Sequence, residues 1–420
     1  MPVGTNTYAL CVQTFSLRGA TNEVKVCAEI TIAYLGSPSL SPSGSVSPSF
    51  SSSPSESPSA SVSPSEGGAP SALETYWAVS VEQEAAASER WNSSNPSSIQ
   101  TGIADAHGRV YFTSGVRGRQ VLGANFGSLT ARMRFRPTLG PTGTGRQNLI
   151  VLGDTTATPQ VELNTLDDGS IEVEGDGFLH ASATGLWIAN AWFYIELMAV
   201  IADAGSYSVK LWDDALNLLA TITGNDDTQR TANAFSNVVH FGNTNIDTYI
   251  DDISIDLGGA LLDAPSMVVK RDPAGNGDLT QWTRGGTDTG NNYDQVDEAI
   301  KDTTSYVDST DADQYDFYTV DLSSLGGTMK ALQVNALARA VSAGTQQFKL
   351  ALRIGGVTYD GIKTHSVTST SADLNCWEVW DNNPATGNEW AGTETVQIGL
   401  KSVTSNVRVH KVCAEVLVSL

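Results

Sequence analysis

The chain has 420 residues, with 24 Lys+Arg against 46 Asp+Glu, so its formal charge is −22. An acidic excess of this size repels phosphate backbones and argues against nucleic acid or an anionic membrane surface as partner. Hydrophobic residues at 40% and charged ones at 17% fit ordered structure in two or three domains, and four Cys with five His leave little for a redox or metal centre.

The opening residues Met1-Pro2-Val3-Gly4 are not followed by the basic and apolar regions of a secretory signal, so none is expected. Nor does any run of 18 apolar residues occur, which excludes a membrane-spanning helix and predicts no membrane insertion. Residues 1–36 hold two alternating β-like runs, with Cys11 in the first and Cys27 in the second. Two readings of these cysteines stay open: buried free thiols, as for Cys376 and Cys413, or a cross-strand bridge in an oxidising compartment.

From Ser37 to Ser65 the tripeptide Ser-Pro-Ser recurs six times, and Glu66-Gly67-Gly68-Ala69-Pro70 closes the tract. Proline at this density bars helices and sheet ladders, and small polar residues supply no core. Residues 37–71 therefore read as a disordered, semi-extended spacer. About 30 residues at ~3 Å each reach on the order of 90 Å if fully polyproline-like.

Period-2 patterning then takes over. Leu129, Ala131, Met133 and Phe135 share one strand face, and Arg132, Arg134 and Arg136 share the other. Gln160–Leu163 and Ser170–Glu174 are alternating runs joined by the turn signal Asp167-Asp168-Gly169. The runs Trp192–Ile201, Tyr207–Trp212 and Tyr249–Ile255 alternate likewise, and no amphipathic helix intervenes. Residues 72–260 thus read as an antiparallel β-sandwich. A break at Leu257-Gly-Gly-Ala-Leu-Leu-Asp-Ala-Pro265 separates it from 261–420, a second all-β unit with runs at 315–321, 331–337, 347–354, 395–400 and 407–418.

The chain's end echoes its beginning. Val24 to Leu35 carries Cys27-Ala28-Glu29 among β-branched residues, and Val407 to Val418 carries Cys413-Ala414-Glu415 in the same setting. Val12-Gln13 likewise matches Val396-Gln397 upstream. Residues 1–36 therefore read as the closing hairpin of a domain like the C-terminal one. A lone hairpin is at best marginally stable. Its docking partner is its own chain, a neighbouring copy or a separate upstream protein, unless the sequence is a truncated gene product.

Glu89-Arg90-Trp91, His107-Gly108-Arg109, Asn148–Asp154, Trp192–Leu197, Gly205–Leu211 and Tyr249–Ile255 form an ordered series of short motifs. Through them the segment from about Leu73 to Leu257 resembles the concanavalin A-like lectin/laminin-G-like jelly roll of bacteriophage virion proteins. The unit after Asp263, with Asp272–Gly277, Gln281-Trp282-Thr283, Tyr293–Glu298 and Asn383–Gly387, resembles the partner domain of such proteins. The resemblance implies an all-β chain with a jelly-roll sandwich followed by a second sandwich. It also implies a structural or adhesive role in the virion, assembled in the host cytoplasm, with other virion proteins and further copies of the chain as partners. It does not imply a sugar; a cell-surface glycan is a further candidate partner, with no binding residue assigned. The alternative is a secreted carbohydrate-binding protein or glycoside hydrolase of the same fold, which would be extracellular.

The residues favour the non-enzymatic reading. Retaining hydrolysis on such folds takes Glu-x-Asp-x-Glu along one strand, and the one Glu-x-Asp, Glu174-Gly175-Asp176, runs into glycine. Neither a Gly-x-Ser-x-Gly elbow nor a phosphate loop occurs. His107, His180, His240, His365 and His410 read as surface or edge residues. No cofactor is expected, and the candidate calcium ligands are Asp308, Asp311, Asp313 and Asp316, whose hard oxygens lie in the acid-rich stretch 294–321. That stretch fails the EF-hand template, since the position six from Asp308 is Asp313 rather than Gly. Trp77, Trp187, Trp192 and Trp212 read as core, and Trp282, Trp377, Trp380 and Trp390 as loop-flanking residues of the second unit.

Limited proteolysis should cut within residues 37–70 and leave a folded fragment beginning near Leu73; slow amide exchange across 40–65 would show instead that the tract packs as structure.

Overall fold

The computed structural model describes residues 5–13, 25–33, 75–79, 98–101, 109–113, 117–138, 146–154, 158–242, 247–287, 290–298 and 301–420, with backbone alone up to residue 110. The Ser/Pro tract, Cys-flanking loops and His107 lie outside them. Residues 1–65 and 66–420 form two compact units. In the first, strands Thr5–Gln13 and Lys25–Ala33 pair antiparallel, with Cys11 directly opposite Cys27.

Among its described residues the second unit is all-β apart from one short 3-10 turn at Tyr293–Gln295, and it contains two sandwiches in series. The first sandwich pairs a six-stranded with an eight-stranded sheet. The six-stranded sheet runs, in order, Leu179–Ala181, Ile171–Glu174, Pro159–Thr165, Gln147–Gly153, Ser236–Phe241, Gly118–Phe126. The eight-stranded sheet runs Leu218–Gly224, Ser206–Asp213, Phe193–Val200, Ser128–Pro137, Thr248–Asp256, Arg109–Thr113, Ser98–Thr101, and Thr75–Val79 also pairs with Thr248–Asp256. Alternation explains the core: Leu129, Ala131, Met133 and Phe135 point inward with Leu163, Ile171, Val173 and Leu211. The Asp167-Asp168-Gly169 turn forms as expected. Gly169 takes φ +78°, and a Cβ there would meet the Gly185 Cα at 3.0 Å.

The second sandwich is built from two six-stranded sheets around Leu332, Val334, Leu350, Ile398, Val409 and Val416. Val407–Ser419 lies in one sheet between Thr328–Ala340 and the strands Ser266–Arg271 and Ser305–Asp308. Val396–Ser402 lies in the other, between Tyr315–Thr319 and Gln346–Ile354. The last two strands of the chain therefore form a corner between sheets, whereas residues 5–33 pair with each other. The sequence echo does not extend to strand pairing. Period-2 alternation specifies which face a residue takes, not which neighbour its strand finds. Cys376 and Cys413 are buried free thiols, and burial pushes the Cys376 thiol up to about 12.

The arginine face of Ser128–Pro137 is not solvated as its composition suggests. Arg132 pairs in register with Glu196, its Nε lies 2.6 Å from Glu196 Oε2, and both side chains are only 2% exposed. The connector between the sandwiches covers them. Leu262 N–H donates to Glu196 (2.9 Å), Arg132 donates to the Ala260 carbonyl, and Ala260 N–H donates to Asp256 (3.0 Å). Lys210, opposite Glu196 on the next strand, pairs with Asp263. A bulge in Thr248–Asp256 puts Asp252 at φ +52°, where its carboxylate accepts the N–H of Val268, in the second sandwich, at 2.7 Å. Behind this seam Val268, Ala331 and Leu417 form a small apolar cluster, and Trp377 packs against the first sandwich's core.

Changing Glu196 to Ala would strand Arg132 as a buried charge without its carboxylate, and should cost about 3–5 kcal/mol in urea unfolding. The pair Arg132→Met with Glu196→Leu should recover most of that loss.

Candidate functional site

The outward positions of the six-stranded sheet alternate with its core residues. Pro159–Thr165 therefore presents Gln160, Glu162 and Asn164 outward, and Ile171–Glu174 presents Glu172 and Glu174. The register sets Glu174 directly opposite Glu162 and Glu172 opposite Asn164. Like charges facing each other across a ladder destabilise it, and two arginines offset this. Arg230 reaches Glu162 Oε1 with Nη1 at 2.5 Å and Glu174 Oε1 with Nη2 at 2.7 Å. Arg146 lies 2.5 Å from Glu172 Oε1 and also contacts Glu174. Asn148 donates to Asn164 at 2.7 Å and to Glu162.

The loop carrying Arg230 is fastened to the same sheet. Gln160 accepts the Arg230 N–H at 2.7 Å and donates to Thr231 at 2.8 Å, while Asp154 accepts from Thr231 and Asn233. Three carboxylates and two guanidiniums thus form a closed lattice on one face. Burial pushes the Glu172 carboxyl up, against the pull of Arg146.

At the edge of this sheet Tyr207 Oη contacts His180 Nδ1 and donates toward Asp226 Oδ2 at 3.4 Å, and His180 Nε2 stands 3.8 Å from that carboxylate. Phe178 stacks on Tyr207 with ring centroids 4.9 Å apart. Burial, reinforced by Asp226, pushes the Tyr207 phenol up to about 12. Tyr207 belongs to the sheet opposite His180, so the group closes one end of the sandwich.

The sequence-level expectations fare unevenly. Glu174-Gly175-Asp176 is a turn: Gly175 N–H donates to Phe178 O, Asp176 N–H donates to Asp227 O at 2.9 Å, and Gly177 has φ +69°. The partner carboxylate absent along that strand arrives from across it, as Glu162, and the Asp-Asp-Gly hairpin register was the signal that could have found it. The four calcium candidates are not brought together. Asp308 binds Arg408 bidentately at 2.9 and 2.8 Å, Asp311 accepts from Thr310, and Asp313 is exposed 3.9 Å from Lys401. Asp316 is fully buried and accepts from Tyr318 Oη at 2.6 Å and from Asn292 Nδ2 at 3.0 Å. Among the described residues no group of three or more His, Cys, Asp or Glu is placed to hold a metal ion. Asp251 and Asp252 belong to the seam between the sandwiches.

Of the described histidines, His180 holds the half-exposed edge position expected, and the other three differ from the surface reading. His410 is fully buried, with Nδ1 3.0 Å from Ser305 O. Burial brings His240, beside Arg117 and Arg119, down to about 4, and His365 likewise. Trp187, Trp192 and Trp212 are core, as are Trp282 and Trp390, which the sequence reading had placed at loops.

No family model and no curated relative matches the chain. Among solved structures it is similar to the cellulose-induced protein Cip1, at 15% identity and TM-score 0.28 over 38% of this chain and 84% of that one. It is similar to the CBM22-1–CBM22-2 tandem domain of Paenibacillus barcinonensis Xyn10C, at 9% identity and TM-score 0.24 over 83% of this chain and 100% of that one. A third likeness, to Trypanosoma rangeli sialidase, has 12% identity and TM-score 0.28, and takes in 39% of this chain and 27% of that one.

Burial raises the Asp316 carboxyl to about 7, against the hydrogen bonds from Tyr318 and Asn292. A folded value above the unfolded one of about 3.9 means that the folded chain holds this proton more tightly. The group's contribution to stability is therefore full below about pH 4 and lost as pH rises toward about 7. Asp316→Asn should flatten the melting-temperature profile between pH 4 and pH 7 and raise stability at about pH 8; an unchanged slope would place the dependence on other groups.

Proposed function

We propose that the chain is a non-enzymatic structural and adhesive protein of a bacteriophage particle, whose first sandwich turns its arginine–glutamate lattice toward a cell-surface glycan. The observation that carries this reading is the closed lattice itself. Glycoside hydrolysis needs one carboxyl held protonated and a second ionised. Arg230 bridges Glu162 and Glu174, so that each carboxylate is tied to the same guanidinium. A face of fixed acceptors and donors, fastened by Gln160 and Asp154, suits vicinal hydroxyls, which pair with carboxylate and guanidinium groups through two hydrogen bonds each. The virion setting follows from the ordered motifs that resemble phage jelly rolls, and copies of the chain on one particle would multiply weak contacts into avidity.

A second reading, a secreted carbohydrate-binding protein or glycoside hydrolase, is favoured by one observation: Glu162 and Glu174 face each other on adjacent strands, with Glu172 beside them. Incubation with laminarin, agarose and peptidoglycan should release no reducing ends; release that Glu174→Gln abolishes would establish the hydrolase. On a glycan array the full chain should bind, and Arg230→Gln should weaken that binding about 10–100-fold, the worth of one or two charge-assisted hydrogen bonds at roughly 1.5–3 kcal/mol.

A further inference from the structure

A cleft of about 390 Å³ opens at one end of the first sandwich, between the segment entering Phe193–Val200 and the turn after Ser206–Asp213. This volume lies within the roughly 300–1,000 Å³ of ligand-holding clefts. Its walls are aliphatic, from Leu186, Ile188 and Leu219, and two carboxylates, Asp213 and Asp214, stand on one side. Trp192 and Phe193 close the floor as buried core residues.

Two features set this end apart from ordinary surface. Large apolar side chains gather there exposed: Ile188 at 62%, with Leu216 at 43% and Leu218 at 54% in the adjoining turn. Leu216 also takes φ +66°, a left-handed conformation that is strained for an L-residue with a side chain. The turn is held there by Leu216 N–H donating to Asp213 O at 3.0 Å and by the Asp213 carboxylate accepting the Asn217 N–H at 2.8 Å. Across the cleft Asn190 is pinned by its N–H to Pro137 O at 2.7 Å and by Arg136 on its carbonyl at 3.1 Å. An exposed leucine in a strained backbone adds nothing to the core, and the rim around it is preorganised.

We propose that this cleft seats a lysine side chain, with a flanking aliphatic residue, from an extended segment of a partner protein. The aliphatic walls match the four-carbon lysine stem, and the carboxylate side meets the ammonium. The place a guanidinium would favour is already filled: Arg134 lies 4.5 Å over Trp192 and 5.3 Å over Tyr194, and pairs with Asp214 at 2.7 Å. Two carboxylates against that one guanidinium leave the rim net negative, and the field of a −22 chain draws cationic segments toward it. Exposed Ile188 in the cleft wall, and Leu216 in the turn beside the lining residue Ala215, supply the contact for the flanking residue.

Calorimetric titration of the full chain with the blocked tripeptide Leu-Lys-Leu tests this, with Leu-Glu-Leu, Leu-norleucine-Leu and hexylammonium as controls. The lysine peptide should bind saturably and at least about tenfold more tightly than any control, a difference of about 1.4 kcal/mol. Ile188→Ser and Asp214→Asn, both at exposed positions, should each weaken it severalfold. Leu216→Gly relieves the strained backbone, so it should leave the melting temperature unchanged or higher while weakening the peptide. No saturation, equal binding of the glutamate peptide, or a Leu216→Gly variant that binds as well as the parent would each overturn the proposal. Hexylammonium binding as tightly as the tripeptide would do so too, since the site would then take a small amine and not a protein segment.

Discussion

The Arg132–Glu196 pair is the constraint on which the arrangement of residues 66–420 depends. Two charges at 2% exposure are expensive to dehydrate, and their mutual attraction offsets that cost only if their remaining hydrogen-bonding capacity is met. The connector meets part of it, with the Leu262 N–H on Glu196 Oε2 and the Ala260 carbonyl on Arg132 Nη2, while Arg132 Nη1 and Glu196 Oε1 stay buried without a protein partner among the described residues. The chain leaving the first sandwich is therefore folded down onto the back of the eight-stranded sheet, and Ser266–Arg271 starts where Asp252 can accept its Val268 N–H. An apolar seam alone tolerates sliding; a seam with an ion pair, a strained aspartate and matched backbone groups has one register.

That seam also shows what a sequence reading can and cannot reach. The two-faced pattern of residues 129–136 correctly separates core from outer face. It cannot say that the outer face is buried, because the covering residues lie more than a hundred positions away. The same limit applies to the lattice. Within one strand Glu174 is followed by a glycine turn, and the search for a second carboxylate ends there. Across the hairpin closed by Asp167-Asp168-Gly169 it faces Glu162. A site on a sheet is assembled perpendicular to the strands, the direction in which sequence carries least information. Asp316 makes the converse point. Its neighbours in sequence suggest a solvated acidic loop, yet alternation turns it inward against Tyr318 and Asn292.

The chain's acidic balance is unevenly placed, and this bears on both surfaces discussed above. Arg132, Arg134, Arg146, Arg230 and Arg408 each lie against a carboxylate, so much of the positive charge is spent inside local pairs. What remains outside them is predominantly carboxylate. A polar lattice that is nearly neutral within itself can face a neutral, hydroxyl-rich ligand, whereas the surrounding surface repels phosphate and attracts cations.

The lattice and the cleft turn share one device, a side chain that accepts the backbone N–H of the loop beside it: Gln160 for Arg230 and Asp213 for Asn217. In the lattice the guanidiniums of Arg230 and Arg146 hold the carboxylates, while Gln160 and Asp154 fasten the loop that carries Arg230. Such an arrangement lowers the ordering cost of any contact made there. Withdrawing Arg230 from either glutamate would also loosen the loop that Gln160 and Asp154 hold, so the position of that loop is coupled to the two carboxylates that face each other across the hairpin.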